Sequence, residues 1–278
     1  NEGDDPQYTQ PQMYQAIKGH TGVRDLYFRK LRDWGVAGDE LTKTMEKEFW
    51  EALQARLNNY KEKPQKYTLQ KTEIAWQALR KATDEDFGQP IKTKITKTNL
   101  VKIIKALIKY PDSFTPVKKI QQYLDQRRVL MRENNSVDWA AAELLAYGSI
   151  LLDGKDVRMS GEDVKRGTFS HRHACLYDEK TGEEYNRLNF IEDNQEAKFR
   201  IYNSHLSEYA VLGFEFGYTL PSPNPLVIWE AQFGDFSNGA QIIIDQFISS
   251  SETKWDRNSD LVMLLPHGYE GAGPEHSS

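Results

Sequence analysis

Apolar residues change their spacing part way along the chain, and the change separates two kinds of protein. Up to about residue 135 they recur at helical intervals, which predicts helices over 21–35, 38–62, 97–110 and 116–133, the last with Pro116 at its start. The polar stretches YKEKPQKYT (60–68) and KATDEDFGQPIKTKITK (81–97) read as connectors. Asn134, Asn135 and Ser136 mark a boundary, with Ser136 expected to cap the next helix. Beyond it, short apolar runs at 157–160, 199–203, 226–229 and 261–265 each lead into a polar loop or a helix. Such runs predict buried parallel strands, so the expected architecture is a helical region over 1–135 followed by an α/β domain over 136–278.

The most informative segment is FRIYNSHLSEYAVLGFEFGY (199–218), where an extended run hands over to a helix with Glu208 in its first turn. Ser204 or Ser207 is placed to cap that helix. The backbone N–H groups and the dipole favour negative charge there, while Tyr209, Val211, Leu212, Phe214 and Phe216 exclude water from it. A carboxyl so placed suits proton chemistry on a bound ligand. Ligands of open α/β sheets bind beyond the carboxyl ends of the strands, so Glu208, Glu230, Phe233, Phe236, His267 and His276 are expected in one crevice.

Composition narrows the function classes. Of the 278 residues, 38% are hydrophobic, and no apolar run approaches the ~18 residues of a membrane span, so no membrane role is expected. Cys175 is the single cysteine, which excludes an internal disulfide framework; its apolar flank reads as a packed strand residue rather than a nucleophile. Residues 1–135 hold 25 Lys/Arg against 18 Asp/Glu, whereas 136–278 hold 11 against 23. The lysines between 92 and 119 alternate with Ile, Leu and Val, the pattern of a solvated helix face, and no stacking platform accompanies them to suggest nucleic acid. His171 and His173 would share a face on a strand, yet no further ligand stands at a spacing that suits a metal.

The segments LSEYAVLGFEFGY, WEAQFGDFSNGAQIIIDQFISS, LPHGYEGAGPEHSS and GEDVKRGTFSHRHA together resemble the pyrimidine-binding domain of the thiamine-diphosphate-dependent first component of 2-oxoglutarate dehydrogenase. DWAAAELLAYGSILLDG (138–154) resembles the helix that opens that domain, and NEGDDPQYTQPQMY (1–14) the segment after the family's diphosphate-binding domain. The resemblance implies a transketolase-like pyrimidine-binding domain, truncated at its C-terminus, in a piece of a longer enzyme. It assigns Glu208 to the pyrimidine ring nitrogen, where the carboxyl promotes the imino tautomer of the cofactor. Phe236 is then the stacking ring with Phe233 second, Glu230 a further cofactor contact, and His276 the group for proton transfer or substrate carboxylate binding. His267 is a second substrate-side candidate or a structural histidine of the turn. RGTFSHRH reads, by resemblance, as a cofactor- or dimer-facing loop.

The resemblance also implies Mg²⁺ with the diphosphate, both bound by an upstream domain outside this sequence; GDFSNG (234–239) imitates that domain's motif only superficially. It further implies a homodimer, oxidative decarboxylation of 2-oxoglutarate in the tricarboxylic acid cycle, and transfer of succinyl to a lipoyl domain. The partners would be dihydrolipoyl succinyltransferase and dihydrolipoyl dehydrogenase, in a bacterial cytoplasm or a mitochondrial matrix. A 2-oxoadipate enzyme of the same family is the near alternative. A non-catalytic scaffold or dimerisation module is the distant one, and the isolated piece is expected to be inactive.

Overall fold

The computed structural model describes residues 3, 5–64, 66, 71–134, 136–269 and 273–276. They form two compact units, 1–70 and 71–278. The first holds α1 (Pro11–Gly19), α2 (Val23–Asp33) and α3 (Asp39–Glu62). Arg24 of α2 meets Glu46 of α3 at 2.5 Å and Arg32 meets Asp39 at 3.1 Å, surface pairs that contribute little each.

The second unit opens with two short turns, α4 (Ile74–Gln77) and α5 (Asp84–Phe87), followed by α6 (Lys97–Leu107), α7 (Lys118–Arg132) and α8 (Trp139–Leu152). Residues 71–135 were expected with the helices before them, but they pack with the sheet. The reason is apolar: Ile103 and Leu107 of α6 are buried in one core with Leu144, Leu145 and Leu151 of α8. The two helices cross closely at Gly148, where an added Cβ would lie 2.5 Å from Ile103. Two local expectations need correction. Asp138, not Ser136, caps α8, its carboxylate accepting from the Ala141 N–H at 2.6 Å. Pro116 precedes the cap of α7 and bridges to Asp178 instead of starting the helix.

The sheet comprises β1 (Val157–Gly161), β4 (Phe199–Asn203), β5 (Leu226–Glu230) and β6 (Val262–Leu264), all parallel, in the order β4-β1-β5-β6. These are the strands the apolar runs predict. Between β1 and β4 a small antiparallel hairpin, β2 (Cys175–Tyr177) with β3 (Glu184–Asn186), is inserted. Strand alternation sends Val157 and Met159 into the core with α6 and α8. It sends Arg158 and Ser160 to the other face, where both bond Glu215 of α9 (Glu208–Thr219). Val211 and Leu212 of α9 pack there on Trp229, Ala231 and Ala240. After β5 come a 3₁₀ segment (Gly234–Ala240), α10 (Gln241–Ile243) and α11 (Ser251–Trp255). Among the described residues, no helix is long and apolar enough to cross a membrane.

Candidate active site

All four strands run parallel and end at one edge, and the six residues expected in the crevice lie at that edge or just beyond it. Glu208 begins α9 directly after β4. Ser207 occupies the cap position but makes no side-chain cap bond, and the Ser204 hydroxyl accepts from Leu206 N–H instead, so neither serine caps through its side chain as expected. Half-burial is the largest influence on Glu208 and pushes its carboxyl above the ordinary value. The Gln232 backbone N–H, 3.3 Å from Oε1, opposes that shift, and the like charge of Glu162 adds to it. The Trp229 indole N–H also favours the ionised form, although it falls short of a well-formed hydrogen bond.

Beyond β5, the chain turns through Phe233, Asp235 and Phe236, and His276 folds back onto them from the loop after β6. The His276 ring stacks on Phe233 with centroids 3.9 Å apart and planes within 9°, and meets Phe236 edge-on at 5.0 Å. Its Nδ1 lies 3.1 Å from Asp235 Oδ2. The Gly268 N–H donates to the His276 carbonyl at 2.7 Å and closes the loop. Within PHGYEGAGPEHSS, residues 270–272 and 277–278 lie outside the described residues.

A cavity of about 740 Å³ opens beside this cluster, lined by Glu143, Phe169, His171, Glu230 and His267 among others. Arg172, fully buried, is clamped by two carboxylates: Nη1 donates to Glu230 at 2.8 Å, Nη2 to the second Glu230 oxygen, and Nε to Glu143 at 3.2 Å. Burial opposes the Arg172 charge, but the two glutamates outweigh it and raise its pKa. Burial likewise pushes Glu230 up against the pull of Arg172. His171 is driven down to about 4, first by burial and then by Arg172 and Arg127, so it is neutral at pH 7.

The six residues expected in one crevice thus share one edge without sharing one pocket. Phe233, Phe236 and His276 form a single cluster; Glu230 and His267 line the cavity; Phe169 joins the two, edge-on to Phe233 at 5.8 Å. Glu208 reaches the cluster through Gln232, the neighbour of Phe233, and is not among the cavity-lining residues. Both oxygens of Glu230 are engaged by Arg172. His171 and His173 do not lie on a strand: β2 starts at Cys175, and His173 has φ +43°, incompatible with extended backbone. Their loop is held by donors to its carbonyls, Arg127 and the Tyr123 hydroxyl to His171 and Arg187 to His173. Sequence reasoning missed Arg172, Gln232, Thr168 and Glu143. The motif GEDVKRGTFSHRHA had marked the loop that carries two of them, but no periodicity in a loop tells which residue turns inward.

A parallel sheet flanked by helices, with its polar groups gathered past the strand ends, defines an α/β domain, and residues 135–278 match the family described as "Transketolase, pyrimidine binding domain". The chain belongs to that family. Over its whole length it is also similar to proteins named 2-oxoglutarate dehydrogenase E1 component. That of Brucella anthropi is 47% identical over 279 residues, covering 100% of this chain and 28% of the relative. Those of Brucella canis and Brucella suis are 46% identical over 281 residues with the same coverage, 100% and 28%. The chain therefore spans 28% of the length of these curated relatives.

Proposed function

We propose that the chain is the pyrimidine-side part of the first component of a 2-oxoglutarate dehydrogenase, which decarboxylates 2-oxoglutarate and passes the succinyl group to a lipoyl domain. The observation that carries this reading is Glu208, a half-buried carboxyl at the strand ends that bonds the Gln232 backbone N–H, one residue before Phe233 of the aromatic cluster, in a chain alike throughout to enzymes of that name. The names of those relatives favour 2-oxoglutarate over 2-oxoadipate as substrate. When bound, thiamine diphosphate supplies a thiazolium carbon that adds to the 2-oxo group and accepts the electrons left by CO₂.

The residues present fit the pyrimidine half of that cofactor. Glu208 is partly desolvated, which strengthens a hydrogen bond to a ring nitrogen and brings its own proton exchange toward neutrality. Phe236, 37% exposed, offers a ring for stacking, whereas one face of Phe233 is already covered by His276. His276 is oriented by Asp235 at Nδ1, while its Nε2, 3.7 Å from the exposed Glu275 carboxylate, is the atom to serve a substrate carboxylate or a proton. Glu230 and His267 act on the cavity side, Glu230 through the shape it gives Arg172. The diphosphate and Mg²⁺ belong to a separate domain, a reading supported by the engagement of the Asp235 carboxylate of GDFSNG with His276. The whole enzyme is a homodimer that works with dihydrolipoyl succinyltransferase and dihydrolipoyl dehydrogenase, in the bacterial cytoplasm or the mitochondrial matrix.

Glu208→Gln in the complete enzyme tests this reading. The amide keeps the size but does not exchange a proton, so hydrogen–deuterium exchange at the thiazolium carbon should slow by at least ~10²-fold. An unchanged exchange rate on rapid quench would remove Glu208 from the mechanism.

A further inference from the structure

We propose that Gln232 is a positioning residue for Glu208, its backbone N–H aimed at the carboxylate by a closed ring of hydrogen bonds through Thr168, Arg166 and Asp163. The ring is explicit in the geometry. Arg166 donates from Nη2 to Asp163 Oδ2 at 2.6 Å and from Nη1 to the Thr168 carbonyl at 2.9 Å. The Thr168 hydroxyl donates to the Gln232 carbonyl at 2.8 Å, with Gln232 Oε1 a second acceptor at 3.1 Å. Gln232 Nε2 returns to Asp163 Oδ2 at 3.2 Å. Each of the four residues is thereby bonded to two others of the ring.

The chain on either side of Gln232 is fixed as well. Ala231 N–H donates to the Leu264 carbonyl at 3.1 Å and Gly234 N–H to the Pro266 carbonyl at 2.7 Å. The Asp163 corner adopts φ +56° and is locked by Arg166 and Gly167 N–H groups on its carbonyl, at 3.0 and 2.7 Å. Against this rigid frame the Gln232 N–H to Glu208 Oε1 distance is 3.3 Å, at the long end for such a bond. A bond that long is lost on a small displacement, so the frame decides whether it persists. The other groups that reach Glu208 are few. The loop after β1 contributes Glu162, which opposes ionisation, and β5 contributes the Trp229 indole, which favours it. The clamp itself brings the opposite charges of Asp163 and Arg166, which largely cancel at Glu208.

Loosening the clamp should therefore withdraw a donor from the carboxylate and raise its pKa. The effect on catalysis rests on the function proposed above; the titration of Glu208 does not. The chain labelled with [5-¹³C]glutamate, with Glu208 assigned by Glu208→Gln, gives the midpoint by NMR in the absence of any ligand. Thr168→Val and Gln232→Leu should each raise it by ~0.5–1 pH unit, while Thr168→Ser, which keeps the hydroxyl, should stay with the wild type. In the complete enzyme the acid limb of thiazolium carbon exchange should move upward in the same variants. Coincident Glu208 titrations in wild type, Thr168→Val and Gln232→Leu would overturn the proposal. Shifted titrations with unshifted exchange would uphold the clamp and instead refute the role given to Glu208. The near-isosteric Thr168 pair carries the test alone if Gln232→Leu does not fold.

Discussion

Buried charge is handled in two opposite ways in this chain. Arg172 has no exposure, yet two carboxylates occupy its guanidinium, and breaking such a group by removing one partner is far costlier than the group's net contribution. Asp260, next to β6, has no charged partner among the described residues: its Oδ1 is buried without a hydrogen bond, and burial, opposed only by its own backbone N–H, pushes the carboxyl up to about 6. Because the folded state holds that proton more tightly than the unfolded chain, Asp260 costs stability progressively as pH rises from about 4 through 6. Asp260→Asn should therefore stabilise the chain at pH 7.5, by about 1 kcal/mol after discounting for the half of the group that solvent screens. The gain should vanish below pH 4. Urea midpoints for wild type and variant at pH 4 and 7.5 check both the sign and the window.

Among the elements, the crossing of α6 and α8 is one contact that ties residues 71–134 to the sheet. Gly148 makes it possible, since Ile103 is completely buried and occupies the volume a Cβ would need. Gly217 of α9 is the contrast, exposed and with nothing within 4 Å of an added Cβ. Alanine favours a helix over glycine by ~1 kcal/mol, so Gly217→Ala should raise stability by roughly that amount. Gly148→Ala should lower it by ~1–3 kcal/mol, because overpacking a rigid core outweighs the propensity gain. Equal and positive shifts in the two variants would mean that α6 does not rest on α8. A separate cluster, Leu124 with Phe114 and Leu176, seats α7: its Tyr123 and Arg127 hold the His171 carbonyl, so the loop with Phe169 depends on a helix outside the matched family region.

For the whole molecule, the proposed division of the cofactor between domains has a measurable consequence. Most affinity for thiamine diphosphate resides in its Mg²⁺-bridged diphosphate, where hard oxygen ligands and the metal's charge act. One stacking face and one carboxyl contact leave little after the entropy of immobilising the ligand. Residues 1–278 alone should bind thiamine diphosphate no tighter than about millimolar, with little response to Mg²⁺, and should not decarboxylate 2-oxoglutarate. Calorimetric titration with and without the metal is the measurement. Micromolar, Mg²⁺-dependent binding would place a diphosphate site within this chain and give GDFSNG a role it is denied above.

The sequence by itself determined the four parallel strands, the helix that starts at Glu208 and the family, because apolar period, strand-ending polar loops and long motifs are local signals that the fold does not override. It also marked Phe233, Phe236 and His276, which come together in one aromatic cluster. Only the tertiary structure decided that Arg172 binds Glu143 and Glu230, residues 29 and 58 positions away, or that Asp163, Arg166, Thr168 and Gln232 close a ring. The turns at Asp163, Ser170 and His173, each at positive φ without glycine, carry no sequence signal of their own. A buried ion pair and a hydrogen-bond ring are fixed by which chain segments meet past the strand ends. That meeting depends on the helix packing beneath the sheet, and no local spacing encodes it.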